Sequence, residues 1–321
     1  MGLLPCILGN AWGRSDRCAC AICALPASAP DTGAVATPRP LVLATGAETS
    51  RVLATFATLG LAADALPFDE SMLRCLSRPA PGRHLTVVLA TGLGALQAAR
   101  RATLAARQSG DLVLFGFAPV GDDRIPDQHA FRAALALELG CAVIEPVLNQ
   151  GWRGLAALAA APIGSLVSHP QLGADIADLR AICGGASPGA FLTATGGADS
   201  VPCGMILSDW DDIRDMRFTR ARLEEIHAEV RRELELQGHV WQEHVRRDEM
   251  PGIGRAIGAI DRRWTRIWLH VRGGNSLQVT EVSRLARLVE AHAHPDANFV
   301  FTSTVEARLA GIEIGLIGLR D

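Results

Sequence analysis

The chain of 321 residues is 49% apolar and 20% charged, which is enough material for two ordinary domains with buried cores. A net charge of -3 and scattered arginines provide no basic face for phosphate backbones, so we expect no nucleic-acid partner. No apolar stretch reaches the roughly 18 to 20 residues that a membrane-spanning helix requires, so we expect no transmembrane segment and a soluble, cytoplasmic protein.

Residues 1–40 have the composition of a disordered leader, or of sequence upstream of the true start. Prolines recur there among Ser, Thr and Gly, and such a segment cannot bury enough apolar surface to fold. Three cysteines are close enough in sequence to share one metal ion: Cys18, Cys20 and Cys23. Their spacing matches no standard zinc or ferredoxin pattern. A weak export signal is a further alternative, because arginines precede a short apolar run. We favour the leader and predict no metal site.

From residue 41 the pattern alternates between short apolar strands and helices. The predicted strands cover residues 41–44, 85–90, 111–117 and 142–148. The predicted helices between them cover residues 50–59, a segment ending at 108, and residues 128–139, where Gly140 is a stop signal. Continuous apolar strands separated by helices indicate a mostly parallel sheet that is covered on both faces. Residues 41–150 are therefore predicted to form a Rossmann-like domain.

A helix rich in Ala and Leu is predicted over residues 152–168, where Pro162 should start a fresh turn or kink it. Further along, residues 218–245 are dense in Arg and Glu. Four apolar residues recur there at helical spacing: Leu223, Ile226, Val230 and Leu234. This pattern predicts an amphipathic helix, which is either a surface helix with one buried stripe or an arm that binds a partner.

The most specific pattern lies in the last fifty residues. A strand-like segment ends at Gly273-Gly274, an amphipathic helix follows, and the turn His294-Pro295-Asp296-Ala297-Asn298 leads into apolar segments. This order closely resembles the C-terminal domain of FtsZ, the bacterial tubulin-like cell-division family. In that family a Gly-Gly turn, a helix and a "DPDAN" turn feed two antiparallel strands. The resemblance covers residues 171–197 and 263–319 well, and residues 41–148 in outline.

The resemblance implies an α/β fold of the tubulin/FtsZ type. A Rossmann-like, GTPase-type N-terminal domain at 41–150 would be joined by a connecting helix at 151–170 to an α+β C-terminal domain at 171–321. That second domain would pack helices on a small mixed sheet and carry a helical insertion at about 201–262. The resemblance also implies GTP as the cofactor, self or FtsZ-type subunits as filament partners, and a role at the cell-division septum.

The residues at the family's GTP loops are not favourable for a triphosphate. Such loops are rich in glycine, because only glycine lets backbone N–H groups approach phosphate oxygens closely. The candidate GTP-binding residues here are Thr45, Gly46, Thr91, Gly92, Gly94 and Gly121. Glu48 follows in the first loop, and residues 118–127, which we place at the family's "GGGTGTG" signature, contain two prolines and three aspartates. Prolines remove N–H donors and aspartates repel phosphate, unless a metal ion bridges them. We expect GTP binding to be weakened or lost.

Asp175 and Asp178 match the two carboxylates of the family's acidic loop, "NLDFAD". There, carboxylates of one subunit position the attacking water at the nucleotide of the next subunit. The two positions lie on one face of a predicted helix start. An equally good interpretation is that both residues cap this helix, because Asp is favoured there whatever the function.

Three hypotheses follow for the function. The first is an FtsZ-like, filament-associated protein with weakened or lost GTP binding, which caps or modulates filaments. The second is an active, self-polymerising homologue that hydrolyses GTP at the subunit interface with Asp175 and Asp178 as catalytic residues. The third is a protein-interaction module that uses residues 218–245 and needs no nucleotide. We favour the first.

Overall fold

The computed structural model describes residues 22, 39–80, 83–121, 123, 125–147, 151–168, 170–196, 252–275, 277–307, 309 and 311–321. The cysteine cluster at Cys18, Cys20 and Cys23 and the amphipathic segment 218–245 lie outside these residues. Within the described part of the chain, no helix combines the length and the apolar character needed to cross a membrane. We call residues 39–168 the N-terminal half and residues 170–321 the C-terminal half.

Strands and helices alternate through most of the described chain. The N-terminal half contains β1 (Leu41–Gly46), α1 (Thr49–Thr58), β2 (Asp64–Pro67), α2 (Leu73–Leu76), β3 (Leu85–Thr91), α3 (Leu96–Gln108), β4 (Leu112–Ala118), α4 (Gln128–Leu139), β5 (Ala142–Pro146) and α5 (Gly151–Val167). The C-terminal half contains β6 (Pro170–Leu172), α6 (Ile176–Cys183), β7 (Pro188–Gly196), α7 (Gly252–Gly258), β8 (Arg266–Gly273), α8 (Val279–His292), β9 (Asn298–Val305) and β10 (Ile312–Leu319).

The N-terminal half is a parallel sheet with helices on both faces. Its strands lie in the order β2-β1-β3-β4-β5 and all pair in parallel. β3 and β4 are buried along their whole length, which is why their sequences are continuous apolar runs. The predicted α/β class is therefore confirmed. β2 and α2 were not predicted, because both are only four residues long and no clear periodicity marks them.

The sheet does not end at β5. It continues as β7-β10-β8-β9-β6, so the described chain contains one sheet of ten strands. β7 pairs with β5 in parallel, and β10 then pairs antiparallel with both β7 and β8. The C-terminal strands are mixed in direction, as predicted, but they extend the first sheet. The edge of β5 that does not pair with β4 pairs with β7, and through this pairing the C-terminal strands continue the sheet.

The helix α5 packs on the middle of this sheet and contacts both halves. A side chain at Gly116 of β4 would press on Leu158 of α5 at 2.9 Å, and one at Gly315 of β10 would press on Ala161 at the same distance. Glycines on the sheet therefore allow the helix to approach closely. Pro162 lies inside a helix that runs without interruption from Gly151 to Val167.

Two further cores cover the opposite face of the sheet. One lies beneath α2, α3 and α4 in the N-terminal half. The other lies beneath α7 and α8 in the C-terminal half. Because both faces are covered, a site can form in the loops at the two ends of the strands.

Candidate functional site

Strand order places the first candidate site between β1 and β3. The chain passes from β1 to β2 on one side and from β3 to β4 and β5 on the other, so the direction of winding reverses between β1 and β3. In open α/β sheets, ligands bind outside the carboxyl ends of the strands at this reversal. The loops after β1 and β3 therefore define the crevice. The loop after β4, which the sequence predicts to be the family's signature loop, lies one strand away.

Four of the six predicted GTP-binding residues meet at this crevice. Thr45 and Gly46 end β1, whereas Thr91 ends β3 and Gly92 follows it. Gly94 lies two residues further on, in a 3-10 turn that leads into α3. Gly121 lies in the loop after β4 with a left-handed φ of 60°.

The loops after β1 and β3 are in direct contact. The Thr91 hydroxyl accepts a hydrogen bond from the Glu48 backbone N–H at 3.0 Å and donates one to the Thr45 carbonyl at 3.2 Å. Gly46 has a φ of 108°, and a Cβ there would collide with the Thr91 carbonyl oxygen. Glycine is therefore required at this position by the contact between the loops, whether or not a ligand binds.

Asp123 reaches into the crevice from the loop after β4. Its Oδ2 accepts hydrogen bonds from the backbone N–H groups of Leu93, at 2.9 Å, and Val120, at 3.1 Å. A Cβ on Gly92 would lie 3.3 Å from the same oxygen. Leu93 starts the helical segment that continues as α3. The carboxylate thus occupies the helix N-terminus, which is where a phosphate would bind.

Two other acidic residues that the structure describes near the crevice, Glu48 and Asp127, have different partners. Glu48 forms an ion pair with Arg51 at 3.0 Å. Asp127 caps α4 by accepting a hydrogen bond from the Ala130 N–H at 2.8 Å. The sequence predicted that acidic residues would repel phosphate here. Of the described acidic residues near the crevice, Asp123 is the one whose oxygen accepts hydrogen bonds from the N–H groups of two loops.

Asp175 and Asp178 lie at the opposite end of the strands from the crevice. A cavity of about 220 Å³ beside Asp175 is also lined by Pro40, His84 and Leu85, which precede or begin β1 and β3. The acidic loop is therefore near the amino ends of the strands whose carboxyl ends form the crevice. A strand of six or seven residues spans roughly 20 Å, which is the approximate distance between the two sites.

Both aspartates are engaged in a capping box at the start of α6. Asp175 Oδ1 accepts hydrogen bonds from the N–H groups of Ala177 and Asp178, at 2.7 and 2.9 Å. Asp178 Oδ2 accepts one from the Asp175 N–H at 3.0 Å. Both side chains are exposed. Each carboxylate can bond a partner molecule with its remaining oxygen, so capping and a role in docking are compatible.

Substitution at Asp175 can separate these two roles. Asn caps a helix about as well as Asp, whereas Ala removes the cap and typically costs about 1 kcal/mol. We expect Asp175→Asn to change the free energy of unfolding by less than about 0.5 kcal/mol, and Asp175→Ala to lower it by about 1 kcal/mol, both measured by urea denaturation. Equal losses in the two variants would show that the carboxylate charge, and not the cap, stabilises α6.

A second polar region lies between α5 and the C-terminal strands. A cavity of about 170 Å³ there is lined by Arg153, His270, Arg272 and Glu313, among others. Arg272 is held between Glu306 and Glu313, the latter at 2.9 Å. His270 is buried, and its Nδ1 lies 2.7 Å from the Thr302 hydroxyl. Burial, reinforced by the charge of Arg272, lowers the pKa of His270 to about 3. Nothing in the sequence marks this histidine, because only the packing of α5 shows that it is enclosed.

Among the described residues, no three His, Cys, Asp or Glu side chains converge as a metal site would require. No family model matches the chain, and no curated protein matches it either.

Solved structures do match the chain. An empty FtsZ dimer from M. jannaschii is 11% identical with a TM-score of 0.54, and the match covers 88% of each chain. A point mutant of M. jannaschii FtsZ is 9% identical with a TM-score of 0.57, covering 88% of this chain and 91% of that one. GDP-form protofilaments of TubZ from Bacillus thuringiensis serovar israelensis give 11% identity and a TM-score of 0.45, covering 88% and 86%. At these identities the FtsZ structures establish the fold: this chain has the two-domain architecture of the FtsZ and tubulin type.

Proposed function

We propose that this chain is a divergent FtsZ-like, filament-associated protein of the cytoplasm whose own GTP binding is weakened or lost. In this proposal it caps or modulates filaments of nucleotide-bearing FtsZ-type subunits during cell division. The observation that carries the proposal is the position of the Asp123 carboxylate, which bonds the N–H groups of Leu93 and Val120 in the crevice between β1 and β3.

A phosphate can enter that crevice only if Asp123 moves or if the two negative charges tolerate each other. Unit charges about 4 Å apart repel by about 4 kcal/mol at an effective dielectric constant of 20. Moving Asp123 instead breaks two hydrogen bonds to a charged acceptor, each of which is worth about 1.5–3 kcal/mol. Either route weakens GTP binding by a factor on the order of a hundred or more.

The acidic loop at Asp175 and Asp178 is not blocked in this way. Asp175 and Asp178 are exposed, and each uses only one oxygen in the capping box. The resemblance implies that such carboxylates meet the nucleotide of a neighbouring subunit. This chain would have an intact acidic loop but a crevice occupied by Asp123. It could therefore dock on a nucleotide-bearing partner but could not present a nucleotide to a second one. That asymmetry is the physical basis for capping.

Direct measurement of GTP binding tests the crevice. We expect the purified wild-type chain to show no micromolar affinity for radiolabelled GTP in equilibrium dialysis. Asp123→Asn removes the negative charge and keeps a side chain of the same shape, so it should raise the affinity at least tenfold. The matched control is Asp127→Asn, which removes a charge from the same loop and retains the cap on α4. It should change the affinity by less than about threefold.

Other outcomes would favour the other hypotheses. Micromolar GTP affinity in the wild type, with turnover that rises steeply with protein concentration, would identify an active, self-polymerising GTPase. Equal affinities in Asp123→Asn and Asp127→Asn would remove the role that we assign to Asp123. Under our proposal, wild-type chain added to a polymerising FtsZ changes its rate of GTP hydrolysis, and the double variant Asp175→Asn/Asp178→Asn does not. A partner captured only through residues 218–245 would support the nucleotide-free interaction module.

A further inference from the structure

We propose that the two halves of this chain form one cooperative body that opens and unfolds as a unit. The crevice and the acidic loop at Asp175 and Asp178 therefore keep a fixed relative orientation. The inference concerns the seam between β5 and β7, where the N-terminal and C-terminal halves meet. It holds whether or not the chain docks on a filament.

Backbone pairing crosses the seam along β5 from Val143 onward. Four residue pairs align in parallel, from Val143 opposite Pro188 to Pro146 opposite Phe191. The Val143 N–H donates to the Ser187 carbonyl at 2.9 Å, and the Val147 N–H donates to the Phe191 carbonyl at 3.0 Å. A rotation of one half against the other would break this ladder and leave buried N–H and C=O groups without partners.

One arginine holds both strands at the seam. Arg132 of α4 donates to the Gly189 carbonyl of β7 at 2.9 Å and forms an ion pair with Glu145 of β5 at 3.1 Å. Both side chains are largely buried, with exposures of 15% and 12%. Burial raises the pKa of the Glu145 carboxyl, whereas the charge of Arg132 opposes that rise. Separating the strands would therefore break the backbone ladder and would also leave a largely buried ion pair without its hydrogen bond to β7.

The core beneath α5 also crosses the seam. Its fully buried members include Val87 and Leu114 from the N-terminal sheet and Phe191, Trp268 and Ile317 from the C-terminal sheet. A Cβ on Gly189 of β7 would lie 3.4 Å from a side-chain carbon of Ile144 in β5, so the two strands pack against each other across the seam. Partial opening along this core would expose apolar surface from both halves.

Hydrogen exchange of the intact chain can test this inference with three Val→Ala variants. Val88→Ala truncates a buried residue of β3 in the N-terminal half, and Val282→Ala truncates a buried residue of α8 in the C-terminal half. We expect each variant to speed the slowest amides of β3, β4, β8 and β10 by one common factor of about ten, because all of them exchange through the same global opening. The control is Val279→Ala, at an exposed valine of α8, which should leave these rates within about twofold.

The alternative outcome is easy to recognise. If the two halves open independently, Val88→Ala will speed exchange only in β3 and β4, and Val282→Ala only in β8 and β10. Unequal exchange protection of the two sets of amides in the wild-type chain would overturn the inference without any variant. The readout is independent of nucleotide binding, so failure here would leave the proposed function standing, and the converse is also true.

Discussion

Asp111→Ala is expected to lower the free energy of unfolding by about 3–5 kcal/mol, which is the usual cost of removing one partner from a buried ion pair. Asp111 and Arg83 are both buried at the amino ends of β4 and β3. Asp111 Oδ2 accepts hydrogen bonds from Arg83 Nε and from the Thr86 hydroxyl, both at 2.7 Å. Without this carboxylate, the guanidinium would be left buried with no counter-charge.

Arg83 also explains why the effect should spread beyond the pair itself. Its guanidinium donates to the carbonyl of Leu76, the last residue of α2, at 2.9 Å, and to that of Arg78, in the segment that follows, at 2.7 Å. The guanidinium thus fixes a stretch of chain without regular structure against the sheet. When Asp111 is lost, the Arg83 guanidinium must either remain buried without a counter-charge or move into solvent and release this segment.

Urea denaturation of matched variants would measure this effect. The control is Glu70→Ala, which breaks the ion pair with Arg101 at 2.9 Å, where the side chains are 59% and 44% exposed. That change should cost less than about 1 kcal/mol, because solvent screens an exposed pair. The double variant Arg83→Met/Asp111→Leu should recover most of the stability, since no uncompensated charge remains. A loss in Asp111→Ala no larger than that in Glu70→Ala would contradict our account of the pair.

The elements that the sequence predicts well are those whose signals are local. β3 and β4 are apolar throughout because both of their faces are buried, and α4 spans Gln128–Leu139 as predicted. Gly140 ends α4 in the left-handed conformation that makes glycine a stop signal. Such patterns follow from a few neighbouring residues and need no knowledge of the rest of the chain.

The elements that the sequence does not predict depend on pairing between distant segments. The β5–β7 ladder joins residues more than forty positions apart, and nothing within β5 indicates which strand will cover its edge. The position of Asp123 is a similar case. Three acidic residues in one loop predict repulsion, but the hydrogen bond that brings Asp123 into the crevice comes from Leu93, in a different loop. Only the assembled carboxyl ends of the strands show that Asp123 bonds the N–H group of Leu93 at the start of the segment that leads into α3.

Lowering the pH from 6.5 to 4.5 is expected to remove about 2–3 kcal/mol of stability through His270 alone. The imidazole is buried against Thr302 and Thr304 and faces the charge of Arg272. The pKa of His270 is lowered from 6.5 to about 3. The unfolded chain therefore binds a proton at this residue below about pH 6.5, whereas the folded chain binds it only below about pH 3. This contribution is therefore complete above about pH 6.5 and declines by about 1.4 kcal/mol per unit as the pH falls toward 3.

His270→Gln isolates this contribution, because glutamine has no charge to gain. The wild type should exceed His270→Gln in stability by a margin that narrows by about 2–3 kcal/mol between pH 6.5 and pH 4.5, as measured by urea denaturation at each pH. His84→Gln, which removes an exposed imidazole, is the matched control for the substitution. A constant margin between the wild type and His270→Gln would mean that the folded chain accepts the proton at His270. In that case α5 and the strands beneath it would have to open around the ring well above pH 3, and the enclosed site between the two halves could not be rigid.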